Sequence, residues 1–228
     1  MKRADGRTEE EMRKIEMKLD VVKRANGSAL VSFGNTEAVA AVYGPKGVFP
    51  KFLQEDEKSV LKVRYNMAPF SVDDRKAPGH DRRSTELSKV IRLAIEPAIF
   101  LEDFPRAGIY GFIEMLQSDG STRVTGINAL SMALATAGIP MRDLITACSV
   151  GKVDDKLVVD LDGNEDCNGQ ADLAFAMLPN KNLVTLLQMD GILSKEEIVK
   201  ILGYARNSCK KIFELQKQTL KERYKGEE

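Results

Sequence analysis

Gln117-Ser118-Asp119-Gly120-Ser121-Thr122-Arg123 carries the chain from one periodicity into another. Before it, residues 109–117 read as a strand. After it, residues 122–137 read as a helix that Gly138 is suited to cap and Pro140 prevents from continuing. A helix N-terminus offers unbonded N–H groups and a partial positive charge, so this junction suits an anion such as phosphate. Gly120 would let the backbone come close, Ser121 and Thr122 supply hydroxyls, and Arg123 adds a fork of charged donors. The plainer alternative is that Ser121 or Thr122 is only an N-cap.

Toward the N-terminus, Ile15, Met17, Leu19 and Val21 alternate onto one face, and Asn26-Gly27 is a hairpin signal. Ala29, Val31 and Phe33 continue the alternation up to a turn at Gly34-Asn35. A third run at 38–43 ends at Gly44-Pro45. Leu61, Val63, Tyr65 and Met67 alternate again, with Lys62, Arg64 and Asn66 on the opposite face. The pattern predicts a β-meander with one buried and one open face. Leu87, Val90, Ile91, Ala94, Ile95 and Ala98 then keep helical spacing, with Ser84 or Thr85 able to cap the start.

Toward the C-terminus, strands are predicted at 145–153 and 156–161, then a polar loop at 162–170, then strands at 171–178 and 183–189. Ser194-Lys195-Glu196-Glu197 is a capping box opening a final helix, with Ile198, Ile201, Leu202, Ala205, Cys209 and Ile212 on its apolar face. The element order predicts an α+β fold in one unit, 1–228, made of two similar halves, roughly 1–140 and 141–228. That duplication rests on element order, because the halves share no obvious sequence repeat.

Composition narrows the function. No apolar run approaches the ~18–20 residues that span a bilayer, and the first residues run straight into charge, so a cytoplasmic address is the expectation. Cys148, Cys167 and Cys209 are odd in number and lack CxxC spacing, which disfavours a disulfide framework or a zinc site. His80 is the single histidine; it is read as a solvated loop residue, and a Ser-His-Asp triad would have to rest on it. With 34 basic and 34 acidic residues, a nucleic-acid partner would need the arginines gathered in one place. No Gly-x-x-x-x-Gly-Lys-Ser/Thr or Gly-x-Gly-x-x-Gly loop is present, which disfavours nucleoside triphosphate and dinucleotide folds.

Three further groups are candidates. Asp166 and Asp172 could converge to supply a proton to a leaving group or to hold a divalent cation; otherwise they belong to a solvated acidic turn. Arg82-Arg83 precedes a helix whose dipole opposes it, so an anionic ligand or plain solvation must account for the pair. Arg64 and the loop Asp73-Asp74-Arg75-Lys76 could contact an RNA backbone, whereas alternation sends Tyr65 into the core.

Taken in order, Arg82-Arg83-Ser84-Thr85-Glu86-Leu87, Gln117-Ser118-Asp119-Gly120-Ser121-Thr122-Arg123 and Glu165-Asp166-Cys167-Asn168-Gly169-Gln170-Ala171-Asp172 resemble the ribonuclease PH superfamily. Arg3-Ala4-Asp5-Gly6-Arg7 looks like its opening motif, and Gly138-Ile139-Pro140-Met141-Arg142-Asp143-Leu144 is similar to its archaeal exosome catalytic branch. The resemblance implies a ribonuclease PH-like fold of two similar β-α halves. It also implies a phosphate-dependent 3′-to-5′ exoribonuclease that releases nucleoside diphosphates and runs backwards as a polymerase. Inorganic phosphate is the implied co-substrate. The implied assembly is a hexamer, a trimer of heterodimers with a related non-catalytic subunit, joined by RNA-binding cap subunits around single-stranded RNA 3′ ends. By motif, Gly120, Ser121, Thr122, Arg123 and Arg83 match phosphate-binding positions. Arg64, Arg82 and Arg83 match RNA-contacting ones. Asp166 and Asp172 match the catalytic carboxylates, with Mg2+ as a ligand they could share. Asn168 stands where the family commonly has an aromatic, and Gln170 where it has an acid. The rival readings are a homohexameric ribonuclease PH that trims transfer RNA ends, and a ring subunit that binds RNA without catalysis.

Overall fold

The computed structural model describes residues 3, 5–73, 76–79 and 81–225. Ala4 of the opening motif, Asp74 and Arg75 of the charged loop, and His80 lie outside the described residues.

Apolar alternation builds a first sheet from β1 (Ile15–Leu19), β2 (Gly27–Phe33), β3 (Thr36–Gly47), β4 (Val60–Met67) and β5 (Ala107–Gln117). Its order is β1-β2-β3-β5-β4, so the predicted meander is corrected. β5 takes the place beside β3, and β4 runs parallel to β5 at the edge. A parallel pair needs a crossover, and α1 (Arg82–Ile95) supplies it. Asp81 caps α1 in place of the predicted Ser84 or Thr85, its carboxylate accepting from Ser84 N at 2.5 Å.

Asn26-Gly27 is not the turn that was expected. The chain leaves β1 at Asp20, φ 57°, and Gly27 already pairs with Val42 in β2, leaving Val21 outside the strand. The missing side chain serves packing instead: a Cβ on Gly27 would lie 2.2 Å from the backbone nitrogen of Ala137. β3 likewise continues past Gly44-Pro45 through a bulge between Tyr43 and Lys46.

The second sheet, β6 (Thr146–Val153), β7 (Lys156–Val159), β8 (Ala171–Leu178) and β9 (Leu183–Gly191), is antiparallel in the order β7-β6-β8-β9. Between the sheets lies α2 (Thr122–Thr136), which touches β2, β3 and β5 on one side and β6 and β8 on the other. It is buried almost all round and has no polar stripe, as a helix enclosed by two layers requires. The predicted polar loop at 162–170 contains a helix, α3 (Gly163–Asn168), closed by a capping box in which Asp162 and Glu165 bond each other's backbone. A long α4 (Lys195–Lys225) packs on β6, β7 and β8. Cys148 and Cys209 meet in the core as free thiols. No helix among the described residues is long and apolar enough to cross a membrane.

Candidate active site

The enclosure of α2 sets its N-terminus where the two sheets meet. Its N-cap position, Ser121, takes the left-handed conformation (φ 57°) and gives no side-chain cap, so the first-turn N–H groups of α2 are not capped from within. The Ser121 hydroxyl is turned away from that end: its Oγ lies 2.7 Å from the Leu161 carbonyl, to which it donates, and 2.5 Å from Ser149 Oγ. The expectation that this hydroxyl donates to phosphate is corrected, because its proton is already taken. Gly120 also has a different role from the one expected. At φ 71°, a Cβ there would lie 2.5 Å from the Asp162 carbonyl carbon, so glycine lets the start of α3 pack against the loop. Thr36 Oγ1 ties the same loop to β3, donating to the Gly120 carbonyl (2.8 Å) and accepting from Asp119 N (3.0 Å).

Arg123, the second residue of α2, and Arg83, the second residue of α1, line one cleft of about 490 Å³ together with Asp166 and Asp172. Neither arginine forms an ion pair among the described residues, and the buried Nε of Arg123 has no hydrogen-bond partner there. Asp166 comes from α3 and Asp172 from the second position of β8. Loss of water within the cleft pushes the Asp166 carboxyl above its ordinary value, while Arg83, Arg123 and Arg13 pull it down. Asp172 is raised first by desolvation, then by the neighbouring charge of Asp166; Arg123 opposes both. Two arginines without ion-pair partners among the described residues therefore share one cleft with two carboxyls whose pKa values lie above the ordinary range. That arrangement can bind an anion and deliver a proton beside it.

The other expected residues fall elsewhere. Thr122 is buried, so only its backbone belongs to the open helix end. Arg82 is exposed and does not line the cleft. Arg64 lines a separate groove of about 600 Å³ with Lys62, Lys89, Arg92 and Tyr110, between the first sheet's edge strand β4 and α1. Tyr65 is fully buried; burial pushes its phenol up to about 12 against the pull of Thr122, Arg83 and Arg123. Glu86, Gln188, Met189 and Asp190 also line the cleft and were not anticipated. The last three sit on β9, which reaches α1 only through the tertiary fold, and no local pattern announces that meeting.

A model described as 3′ exoribonuclease family, domain 1, matches residues 11–140, and one for domain 2 of the same family matches 143–208. The chain belongs to the 3′ exoribonuclease family. Within it, the chain is 54% identical over 223 residues to "Exosome complex component Rrp41" of Pyrococcus furiosus, covering 98% of this chain and 89% of that one. The namesake of Methanopyrus kandleri is 49% identical over 225 residues, covering 99% and 94%. Among solved members, the structure described as "archaeoglobus fulgidus exosome with RNA bound to the active site" superposes with TM-score 0.80 at 25% identity, covering 93% of this chain and 92% of that one. Rice Rrp46 shares the fold at TM-score 0.87 and 23% identity, covering 96% and 100%.

Proposed function

We propose that the cleft carries out phosphorolysis of RNA from its 3′ end, and that the chain is the catalytic subunit of an archaeal exosome-type ring. The observation that carries the reading is the pair Arg83 and Arg123, without ion-pair partners among the described residues, facing Asp166 and Asp172 across one cleft. Inorganic phosphate sits at the open end of α2 between the two guanidinium groups, which offset charge on its oxygens and on those of the scissile phosphodiester. A phosphate oxygen bonds to the phosphorus of the last nucleotide while the bond to the preceding 3′ oxygen breaks, close to in line. Asp166 gives its proton to the departing 3′ oxygen, and Asp172 lines the same cleft. The products are a nucleoside diphosphate and an RNA shorter by one, and the same path runs backwards when diphosphates are abundant.

Asp166 and Asp172 could hold Mg2+ only in their charged forms; the ion would then add positive charge beside the transferred phosphorus in place of proton donation by Asp166. The relatives named as exosome components support assembly with other subunits; in this reading those are a related non-catalytic ring subunit and RNA-binding caps, and the address is the cytoplasm. Intact Asp166, Asp172 and Arg123 weigh against a subunit that only binds RNA. The reading is tested by incubating the assembled ring with 3′-labelled RNA, with and without phosphate. Phosphate-dependent release of nucleoside diphosphates is expected; equal release of monophosphates without phosphate would mean hydrolysis.

A further inference from the structure

α3 has six residues, too few to be a stable helix alone. It carries Asp166, yet it has no apolar anchor: Glu165 is its one buried residue. Glu165 is gripped by Arg3, from the far end of the chain, in a fork-on-fork pair with Nε to Oε1 at 2.7 Å and Nη2 to Oε2 at 2.6 Å. Arg3 has further donors fixed on the strand end before α3, to the Val159 carbonyl at 2.8 Å and the Asp160 carbonyl at 2.7 Å. The guanidinium is thus held against β7 while it holds Glu165, and Glu165 also closes the capping box of α3.

Two more arginines extend the grip. Arg7 Nη1 donates to the Asp160 carbonyl at 3.1 Å, and its Nη2 lies 4.0 Å from Glu165 Oε2. Arg13 takes Asp160 in a second fork, with Nε to Oδ2 at 2.9 Å and Nη2 to Oδ1 at 2.7 Å. It also donates to the Asp119 carbonyl at 2.6 Å, just before the open end of α2. Asp119 Oδ1 in turn accepts from Gly163 N, the first residue of α3, at 3.0 Å. Asp166 and the open end of α2 are therefore tied to one largely buried ionic layer.

We infer that Arg3 is a positioning residue for the reaction: its fork on Glu165 fixes α3, and with it Asp166, against the phosphate-binding end of α2. The inference rests on the reading of Asp166 as proton donor. Arg3 touches no reacting atom. Without it Glu165 is left as a buried charge with weaker compensation, and α3 keeps only its capping box and the bond from Gly163 N to Asp119. A displacement on the order of 1 Å at a reacting group can cost about 100-fold in rate, so the effect belongs in kcat.

The test uses the ring assembled from the full chain and its partner subunit, comparing Arg3→Ala, Arg3→Lys, Glu165→Gln and Asp166→Asn. Arg3→Ala should lower kcat by about 10- to 100-fold, with the KM for phosphate within about twofold, because Arg83 and Arg123 are untouched. Arg3→Lys keeps the charge but loses the fork, and should recover only part of the rate. Glu165→Gln keeps the side chain's size and should show the same split; it decides the matter if Arg3→Ala does not fold. A wild-type kcat in Arg3→Ala or Glu165→Gln, or a raised phosphate KM at unchanged kcat, overturns the inference. So does a rate loss that only tracks the fraction unfolded. Full activity in Asp166→Asn would instead remove the proton-donor reading itself. An inactive Asp166→Asn beside a fully active Arg3→Ala removes only the role given to Arg3.

Discussion

Arg123 belongs to both parts of the proposed chemistry, since it stands at the open end of α2 and its charge opposes the upward pKa shift of both carboxyls. Arg123→Ala should cost roughly 100- to 1,000-fold in kcat, the magnitude for a donor aimed at developing charge. It should also move the pH profile in a definite direction. Proton donation needs the neutral form of Asp166, so activity is lost as pH rises through the pKa of that carboxyl. Removing a positive neighbour makes the charged form less favourable and raises that pKa further. The alkaline limb of the pH–kcat curve should therefore move to higher pH in Arg123→Ala, and a shift to lower pH contradicts the assignment. Arg83, Arg123, Asp166 and Asp172 could be named as candidates from the sequence because each stands in a motif that resembles the family's, and the structure brings the four to one cleft. The orientation of the Ser121 hydroxyl was not legible there, because the groups that capture it, Ser149 and the Leu161 carbonyl, come from β6 and from the segment after β7.

At the scale of elements, the site depends on α3 lying against the loop before α2. Gly120 makes that approach possible through both its left-handed φ of 71° and the space beside Asp162. Gly120→Ala should destabilise the fold by about 1–3 kcal/mol through overpacking, and it should lose more activity than its remaining folded fraction explains. Urea unfolding read beside specific activity checks this; activity in proportion to folded protein would mean that α3 tolerates the shift. Strands and long helices were readable because alternation and helical spacing each persist over several residues. α3 was missed although Asp162-Gly163-Asn164-Glu165 has the capping-box pattern, since six polar residues show no apolar period. The place of β5 between β3 and β4 was missed for another reason: strand order is set by the α1 crossover, and local periodicity carries no trace of it.

For the whole molecule, α2 is the shared core of both sheets, and Asn128 stitches the halves by bonding the Ala147 backbone in β6 and Gln216 in α4. Calorimetry of the chain should therefore show one cooperative transition, whereas two separate transitions would mean that the halves fold as independent domains. β9 ends the second sheet with an edge unpaired among the described residues and exposed Leu183, Val184, Leu187 and Met189, a surface suited to another chain of a ring. The cleft lies against that same strand, so the assembled ring is the state in which the chemistry should be measured. The most direct test is the rate of Asp166→Asn in that ring, read both as phosphate-dependent release of nucleoside diphosphates and as RNA extension from diphosphates. Asn keeps the size and hydrogen bonding of the side chain but has no acidic proton. The two directions share one transition state, so both should fall together by roughly 100- to 10,000-fold, with RNA binding retained. Substantial activity of Asp166→Asn in either direction would contradict the account.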